Sequence, residues 1–92
     1  LSSAASDVYK RQQKQTITLV VKNHPGVLLR ITGLFTRRGF NIDSLTAFPD
    51  EKKEFTTMTI TTYGDDATAK QIIRQVNKVQ EVVASDLKAG EA

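Results

Sequence analysis

The chain has no cysteine, and it contains one histidine and two prolines among its 92 residues. Without cysteine it has no disulfide framework, no thiolate metal ligand and no cysteine nucleophile. This composition fits a reducing compartment, and we expect a cytoplasmic protein. The single histidine, His24, has no partner at metal-ligand spacing. We interpret it as an exposed loop residue rather than a ligand contact or a pH sensor.

Long apolar runs are also missing. No run approaches the roughly 18 residues that a membrane-crossing helix needs, and the N-terminus lacks the basic-then-apolar order of a secretory signal. We therefore expect a soluble, unexported protein with no membrane partner. The chain has 39% hydrophobic and 25% charged residues, as ordinary globular proteins do. Its length predicts one small domain with a core that is marginal alone and is often reinforced by a second copy.

Clustered positive charge is absent as well, although the formal net charge is +3 and the pI is about 9.4. Lys10 and Arg11 lie in the polar N-terminal stretch, and the other cations are scattered. No basic stripe interleaved with aromatic residues appears, so we expect no nucleic-acid partner.

The first half of the chain predicts a strand, a sharp turn and a helix. Alternation and β-branching predict a strand from Thr16 to Lys22. Pro25-Gly26 turns the chain, because proline fixes φ and glycine tolerates positive φ. A helix is predicted from Val27 to Arg38, and Gly39 ends it. The apolar positions, which are expected to share one face of each element, are Ile17, Leu19 and Val21 in the strand and Val27, Leu28, Ile31, Leu34 and Phe35 in the helix.

The second half predicts two strands, a helix and a closing strand. Phe40 to Phe48 is expected to form a strand with a bulge near Asp43-Ser44. Phe55 to Tyr63 is rich in threonine and alternates, as a half-solvated antiparallel strand does. Asp65 or Asp66 can cap a second helix, and Val82 to Leu87 predicts the last strand. The apolar stripe of the second helix is Ala69, Ile72, Ile73 and Val76.

The order β-α-β-β-α-β predicts an α+β, ferredoxin-like fold, in which a four-stranded antiparallel sheet carries two helices on one face. We expect the domain over residues 15–88, a disordered or non-native extension over residues 1–14 and a C-terminal tail over residues 89–92. This fold also hosts RNA readers and acylphosphatase-like enzymes. An RNA reader needs aromatic residues on its central strands to stack on bases, and this chain lacks them there. An acylphosphatase-like enzyme needs a phosphate-binding arginine in the first turn, and this turn has none. The residues reveal no active site.

Two segments carry a family resemblance. Asn23-His24-Pro25-Gly26-Val27-Leu28 and the run from Gly33 to Leu45 closely resemble the ACT domain of the small regulatory subunit of acetolactate synthase (acetohydroxyacid synthase). Met58-Thr59-Ile60 and the run from Gln75 to Val79 match too. The resemblance covers about Gln15 to Leu87. The Pro-Gly turn alone marks ACT domains generally, whereas Arg-Arg-Gly-Phe-Asn-Ile-Asp-Ser-Leu is specific to this subunit.

The resemblance implies a non-catalytic chain that binds and activates the large catalytic subunit and transmits feedback inhibition by valine or a related branched-chain amino acid. Thiamine diphosphate, Mg²⁺ and FAD are implied on that large subunit, with no cofactor or metal on this chain. The resemblance also implies a homodimer with the effector at the interface of two ACT domains. By motif, the effector-binding residues are Asn23, Pro25, Gly26, Val27, Leu28, Asn41 and Ile42.

Geometry independently favours such an interface. A helix from Val27 to Arg38 holds Asn23 and Asn41 roughly 18 Å apart, so one amino acid cannot contact both within a single copy. A two-fold related copy would place Asn41 of one beside Asn23 of the other. The N–H groups at the start of the helix would then meet the ligand carboxylate, and an asparagine carbonyl its ammonium group.

Other interpretations stay open. Asn23 and Asn41 are also ordinary turn formers, and Arg37 and Arg38 either complement the helix dipole or dock the large subunit. Longer family members carry a second domain after the ACT domain, so the sequence leaves open both whether this chain is naturally short or truncated and whether it responds to valine. A stand-alone ACT-like sensor that regulates another enzyme or a transcription factor is the alternative function.

Overall fold

The computed structural model describes residues 13–90 of the chain. Residues 1–12 of the expected N-terminal extension and residues 91–92 of the expected C-terminal tail lie outside this range, whereas Gln13 and Lys14 belong to the first strand and Ala89 to the last. Six elements follow in the expected order: β1 (Gln13–Lys22), α1 (Val27–Arg37), β2 (Ile42–Pro49), β3 (Phe55–Gly64), α2 (Asp66–Val76) and β4 (Val82–Ala89).

The four strands form one antiparallel sheet in the order β2-β3-β1-β4. This arrangement confirms the ferredoxin-like prediction, with β1 and β3 in the centre and β2 and β4 at the edges. Both helices cover the same face, so each central strand has one buried and one open side. Each helix is eleven residues long, and neither is long and apolar enough to cross a membrane.

The core lies between the helices and the covered face. Alternate residues of β1 are fully buried there, as the alternation predicts, together with Met58 and Ile60 of β3. Leu28 differs from the prediction: its side chain is 44% exposed, because it lies about 100° around the helix from the buried Val27. The helix residues that complete the core are Val27, Ile31 and Phe35 of α1 and Ala69, Ile72 and Val76 of α2.

Strand ends depart from the sequence pattern where pairing partners extend them. β1 begins at Gln13, three residues before the expected Thr16, because Gln13 pairs with Gly64 of β3. β4 likewise continues to Ala89, which pairs with Gln15. The alternating pattern predicted only the part of each strand that covers the core, whereas the strand ends depend on pairing with a neighbouring strand.

The start of β2 corrects one assignment and confirms another. Phe40 was expected in the strand, but it lies in the turn before β2 and is 6% exposed, with its ring packed near that of Phe35. The predicted bulge is present, since the register with β3 shifts between Ile42 and Ser44.

Candidate functional site

The first turn joins β1 to α1 and fixes the backbone around Asn23. The main-chain N–H of Asn23 donates to the Glu54 carbonyl at 2.9 Å, and the main-chain N–H of Val27 donates to the His24 carbonyl at 3.3 Å. Gly26 has φ +82°, the conformation expected of the residue after Pro25. Gly26 is also the N-cap of α1 and has no side chain to accept a hydrogen bond. The first-turn N–H groups of α1 therefore have no side-chain cap, and they point towards this turn.

The side-chain amide of Asn23 is held at both ends. Its Nδ2 donates to the Lys53 carbonyl at 3.0 Å, and its Oδ1 accepts from the Thr56 hydroxyl at 3.1 Å. These bonds define which end of the amide is oxygen. An asparagine amide offers two donors and two acceptor lone pairs, so one N–H and one lone pair remain for a ligand. The residue is exposed, which leaves those groups accessible.

An apolar depression of about 210 Å³ opens beside Asn23, on the side of α1 and β2. The half-exposed Leu28 contributes to its lining. The lining residues are Val21, Asn23, His24, Val27, Leu28, Ala47, Pro49, Thr56 and Met58. On the side of the β2–β3 hairpin, Asn23 and His24 also line a more polar depression of about 330 Å³ with Lys22, Lys53, Glu54 and Phe55. Asn23 and His24 thus line both depressions.

The second turn lies at the other end of α1. Gly39 has φ +78° and lies just after the helix, as the pattern predicts. The Phe40 N–H donates to the Phe35 carbonyl at 2.9 Å, and the buried Thr62 hydroxyl donates to the Asn41 carbonyl. The Asn41 side chain is exposed. It borders an open depression of about 420 Å³ that is also lined by Gly39, Phe40, Ile42, Asp43 and Tyr63.

The structure places the seven predicted residues in two groups. Asn23, Pro25, Gly26, Val27 and Leu28 gather at the start of α1, whereas Asn41 and Ile42 lie beyond its end. The side chain of Val27 is 7% exposed and packs in the core, so only its backbone faces the turn. Eleven helical residues separate the groups by about 17 Å. The two asparagines line different depressions of one copy.

Both groups lie along one edge of the molecule. β2 is an edge strand, and its far end, at Ala47 and Pro49, lines the depression beside Asn23. The opposite flank of α1 faces the other way, because Arg30 forms an ion pair of 2.7 Å with Glu81, just before β4. Leu28 lies about 200° around α1 from Arg30 and therefore faces β2.

Sequence reasoning missed the residues that hold the asparagines. Lys53, Thr56 and Thr62 come from parts of the chain that are 21 to 33 residues away from Asn23 or Asn41. The sequence does indicate that Thr56 and Thr62 face the core, because they alternate in step with Met58 and Ile60 along the strand. Arg37 donates through Nε to the Gly33 carbonyl of its own helix. This contact does not test whether Arg37 docks the large subunit, and that role stays a prediction.

Comparisons with known proteins identify the family. The family model described as the AHAS small subunit-like ACT domain matches residues 17–84. The probable acetolactate synthase small subunit of Archaeoglobus fulgidus is 50% identical over 70 residues, which are 76% of this chain and 44% of that protein. The acetolactate synthase isozyme 3 small subunit of Escherichia coli is 37% identical over 70 residues, covering 76% of this chain and 43% of that protein.

Solved structures show the same fold. The acetolactate synthase small subunit from Thermotoga maritima superposes with a TM-score of 0.72 at 38% identity and covers 80% of this chain and 46% of that one. The ACT domain from GTP pyrophosphokinase of Chlorobium tepidum reaches a TM-score of 0.73 at 17% identity, covers 84% of this chain and 99% of that one, and so shares the fold alone. Fold and turns together define an ACT domain. Within that class, the chain belongs to the family of acetohydroxyacid (acetolactate) synthase small-subunit ACT domains. It spans less than half the length of the curated relatives described here.

Proposed function

We propose that this chain is the regulatory ACT domain of an acetolactate synthase small subunit. In this proposal two copies bind valine or a related branched-chain amino acid between them and regulate the large catalytic subunit. Catalysis, with its thiamine diphosphate, Mg²⁺ and FAD, belongs to that large subunit. Family membership supports the regulatory role. The observation that supports the effector site is that Asn23 and Asn41 lie at opposite ends of one edge of the molecule.

The edge strand supports a two-fold arrangement. Antiparallel pairing of β2 with its symmetry copy would bring the start of one strand beside the end of the other. The start of β2 follows Asn41, and its end at Pro49 borders the recess beside Asn23. Asn41 of one copy would then face the recess of the second copy. Two equivalent effector sites result, each built from both chains.

The chemistry of the recess suits an amino acid with a branched apolar side chain. Leu28, Ala47 and Pro49 supply accessible apolar surface around a space of about 210 Å³. The Val27 N–H is bonded to the His24 carbonyl, but the N–H groups that follow it in the first turn of α1 offer donors to the carboxylate, aided by the positive end of the helix dipole. The remaining lone pair of Asn23 Oδ1 can accept from the ammonium group. Asn41 of the second copy would add a side-chain amide on the side of the ligand that holds its carboxylate and ammonium groups.

Reconstitution tests this function. The chain is mixed with an acetolactate synthase large subunit, and acetolactate formation is followed with and without valine, leucine or isoleucine. We expect the rate to rise when the chain is added and to fall when the effector follows. Calorimetric binding of a branched-chain amino acid without any effect on the large subunit would favour the stand-alone sensor. Neither binding nor activation would overturn the proposal.

A further inference from the structure

Two threonines of β3 stand out among the residues that face the core. The side chains that this strand buries on its helix-facing side are those of Thr56, Met58, Ile60 and Thr62, so the apolar pair lies between two threonines. Thr62 is fully buried, and Thr56 is 9% exposed. A buried hydroxyl is costly unless it finds a hydrogen-bond partner, and valine fills nearly the same space without that cost. Threonine at these positions therefore indicates that the hydroxyls are used.

Each hydroxyl bonds to one of the two asparagines. Thr56 donates to the side-chain oxygen of Asn23 at 3.1 Å, and Thr62 donates to the main-chain carbonyl of Asn41. The first bond fixes the direction of an amide, and the second fixes the backbone of a turn. We propose that Thr56 and Thr62 are positioning residues of the effector site, which hold Asn23 and Asn41 at the orientation and separation that a two-fold related pair needs. This inference rests on the proposed function.

The strand that carries both threonines sets that separation. Six residues of extended chain place Thr56 and Thr62 about 20 Å apart. β3 is paired with β1 along its whole length and with β2 from Thr56 to Thr62. Pairing on both sides leaves the strand little freedom to stretch or slide. In a symmetric dimer the two ends of one edge must match the opposite ends of its copy, so a fixed spacing prepares both effector sites at once.

The Thr56 bond also assigns the polarity of the Asn23 amide. With Oδ1 on Thr56 and Nδ2 on Lys53, the amide cannot reverse without placing oxygen against the Lys53 carbonyl. Without the Thr56 hydroxyl, only the Lys53 contact would restrain the side chain. The ligand would then have to order the amide on binding and would lose affinity. Stability should change little, because Asn23 is exposed and water can replace the lost partner.

The test combines binding with a ligand-free readout. L-valine, L-leucine and L-isoleucine are titrated calorimetrically into the wild-type chain and into Thr56→Val, Thr56→Ser, Thr62→Val and Thr62→Ser. Thr57→Val, on the open face of the same strand, is the control. We expect each valine variant to bind about tenfold more weakly, the order of effect of losing one hydrogen bond to a positioned group. The serine variants and Thr57→Val should bind within about twofold of wild type, and urea midpoints show which variants fold.

Two further measurements separate positioning from general damage. The Asn23 side-chain amide protons, followed by NMR without ligand, should shift and lose hydrogen-bond protection in Thr56→Val but not in Thr56→Ser. Adding Thr56→Val to Asn23→Ala should weaken binding no further than Asn23→Ala alone, because the positioned amide is already gone. If the wild type binds and both Thr56→Val and Thr62→Val bind with the same affinity, only the positioning role is overturned. Absence of binding by the wild type would overturn the proposed effector site and this inference with it.

Discussion

The ring of Phe40 occupies the space that a side chain on Gly64 would need. A Cβ added at Gly64 would lie 2.6 Å from Cε1 and 2.8 Å from Cζ of that ring. Phe40 immediately precedes Asn41, and its ring is buried between Gly64 and the nearby Phe35. The glycine at the end of β3 therefore determines where the second turn can lie, and with it the start of β2.

Gly64→Ala should destabilise the protein, because the methyl group forces a buried ring to move. We expect the free energy of unfolding to fall by about 1–3 kcal/mol, as for other overpacked sites. Gly33→Ala is the matched control. It lies inside α1 with its nearest neighbour at 3.9 Å, and it should raise stability by about 0.5–1 kcal/mol. Urea unfolding at one protein concentration measures both. Equal midpoints for the two variants would contradict the contact.

Asp65→Ala should also lower stability, because Asp65 accepts the Thr68 N–H at 2.8 Å and caps α2. Loss of an N-cap of this kind costs about 1 kcal/mol. Asp65→Asn keeps a capping oxygen and serves as the control. Thermal unfolding followed by circular dichroism should place the alanine variant several degrees below the asparagine variant. Coincident curves would show that the cap contributes nothing.

Leu28→Asp should weaken self-association if α1 and β2 form the edge where two copies meet. Leu28 is 44% exposed on that edge, whereas Val83, 51% exposed, lies on β4 at the opposite edge. A charge at a closed apolar interface is costly, and one facing water is not. Analytical ultracentrifugation of wild type, Leu28→Asp and Val83→Asp is the measurement. We expect a dimer for wild type and Val83→Asp and dissociation for Leu28→Asp; a wild-type monomer in the presence of valine would refute the shared site.

Asn23→Ala and Asn41→Ala should each weaken effector binding by about 1–3 kcal/mol, since a charged group of the ligand loses a partner. The two variants differ in the ligand-free protein, because Asn23→Ala also removes the bonds to Lys53 and Thr56. Asn77→Ala is the control: Asn77 is an exposed asparagine that accepts from Ser85, away from either turn. Calorimetry with valine measures all three. Wild-type affinity in the first two would remove these side chains from the site.

Local sequence patterns predicted part of the proposed effector site. Turn chemistry placed Gly26 and Gly39 correctly, since a backbone with positive φ favours glycine wherever it occurs. The same local logic predicted a cap at Asp65 or Asp66, where Asp65 is the cap, and a bulge near Asp43-Ser44, where the register shifts. Alternation with Met58 and Ile60 indicates that Thr56 and Thr62 face the core, but local pattern could not show which residues bond to the asparagines. Those partners are distant in the chain and meet only through the pairing of the strands.

By itself, the sequence determined the order of the elements, the face that each strand buries and the helix length that separates Asn23 from Asn41. Those properties follow from residue periods and turn residues, which act over a few positions. Only the tertiary structure decided that Phe40 leaves the strand to pack over Gly64, that Leu28 remains half-exposed, and that β3 holds both asparagines. Such contacts depend on how the strands pair and how the helices lie across them, and a local pattern carries no information about either.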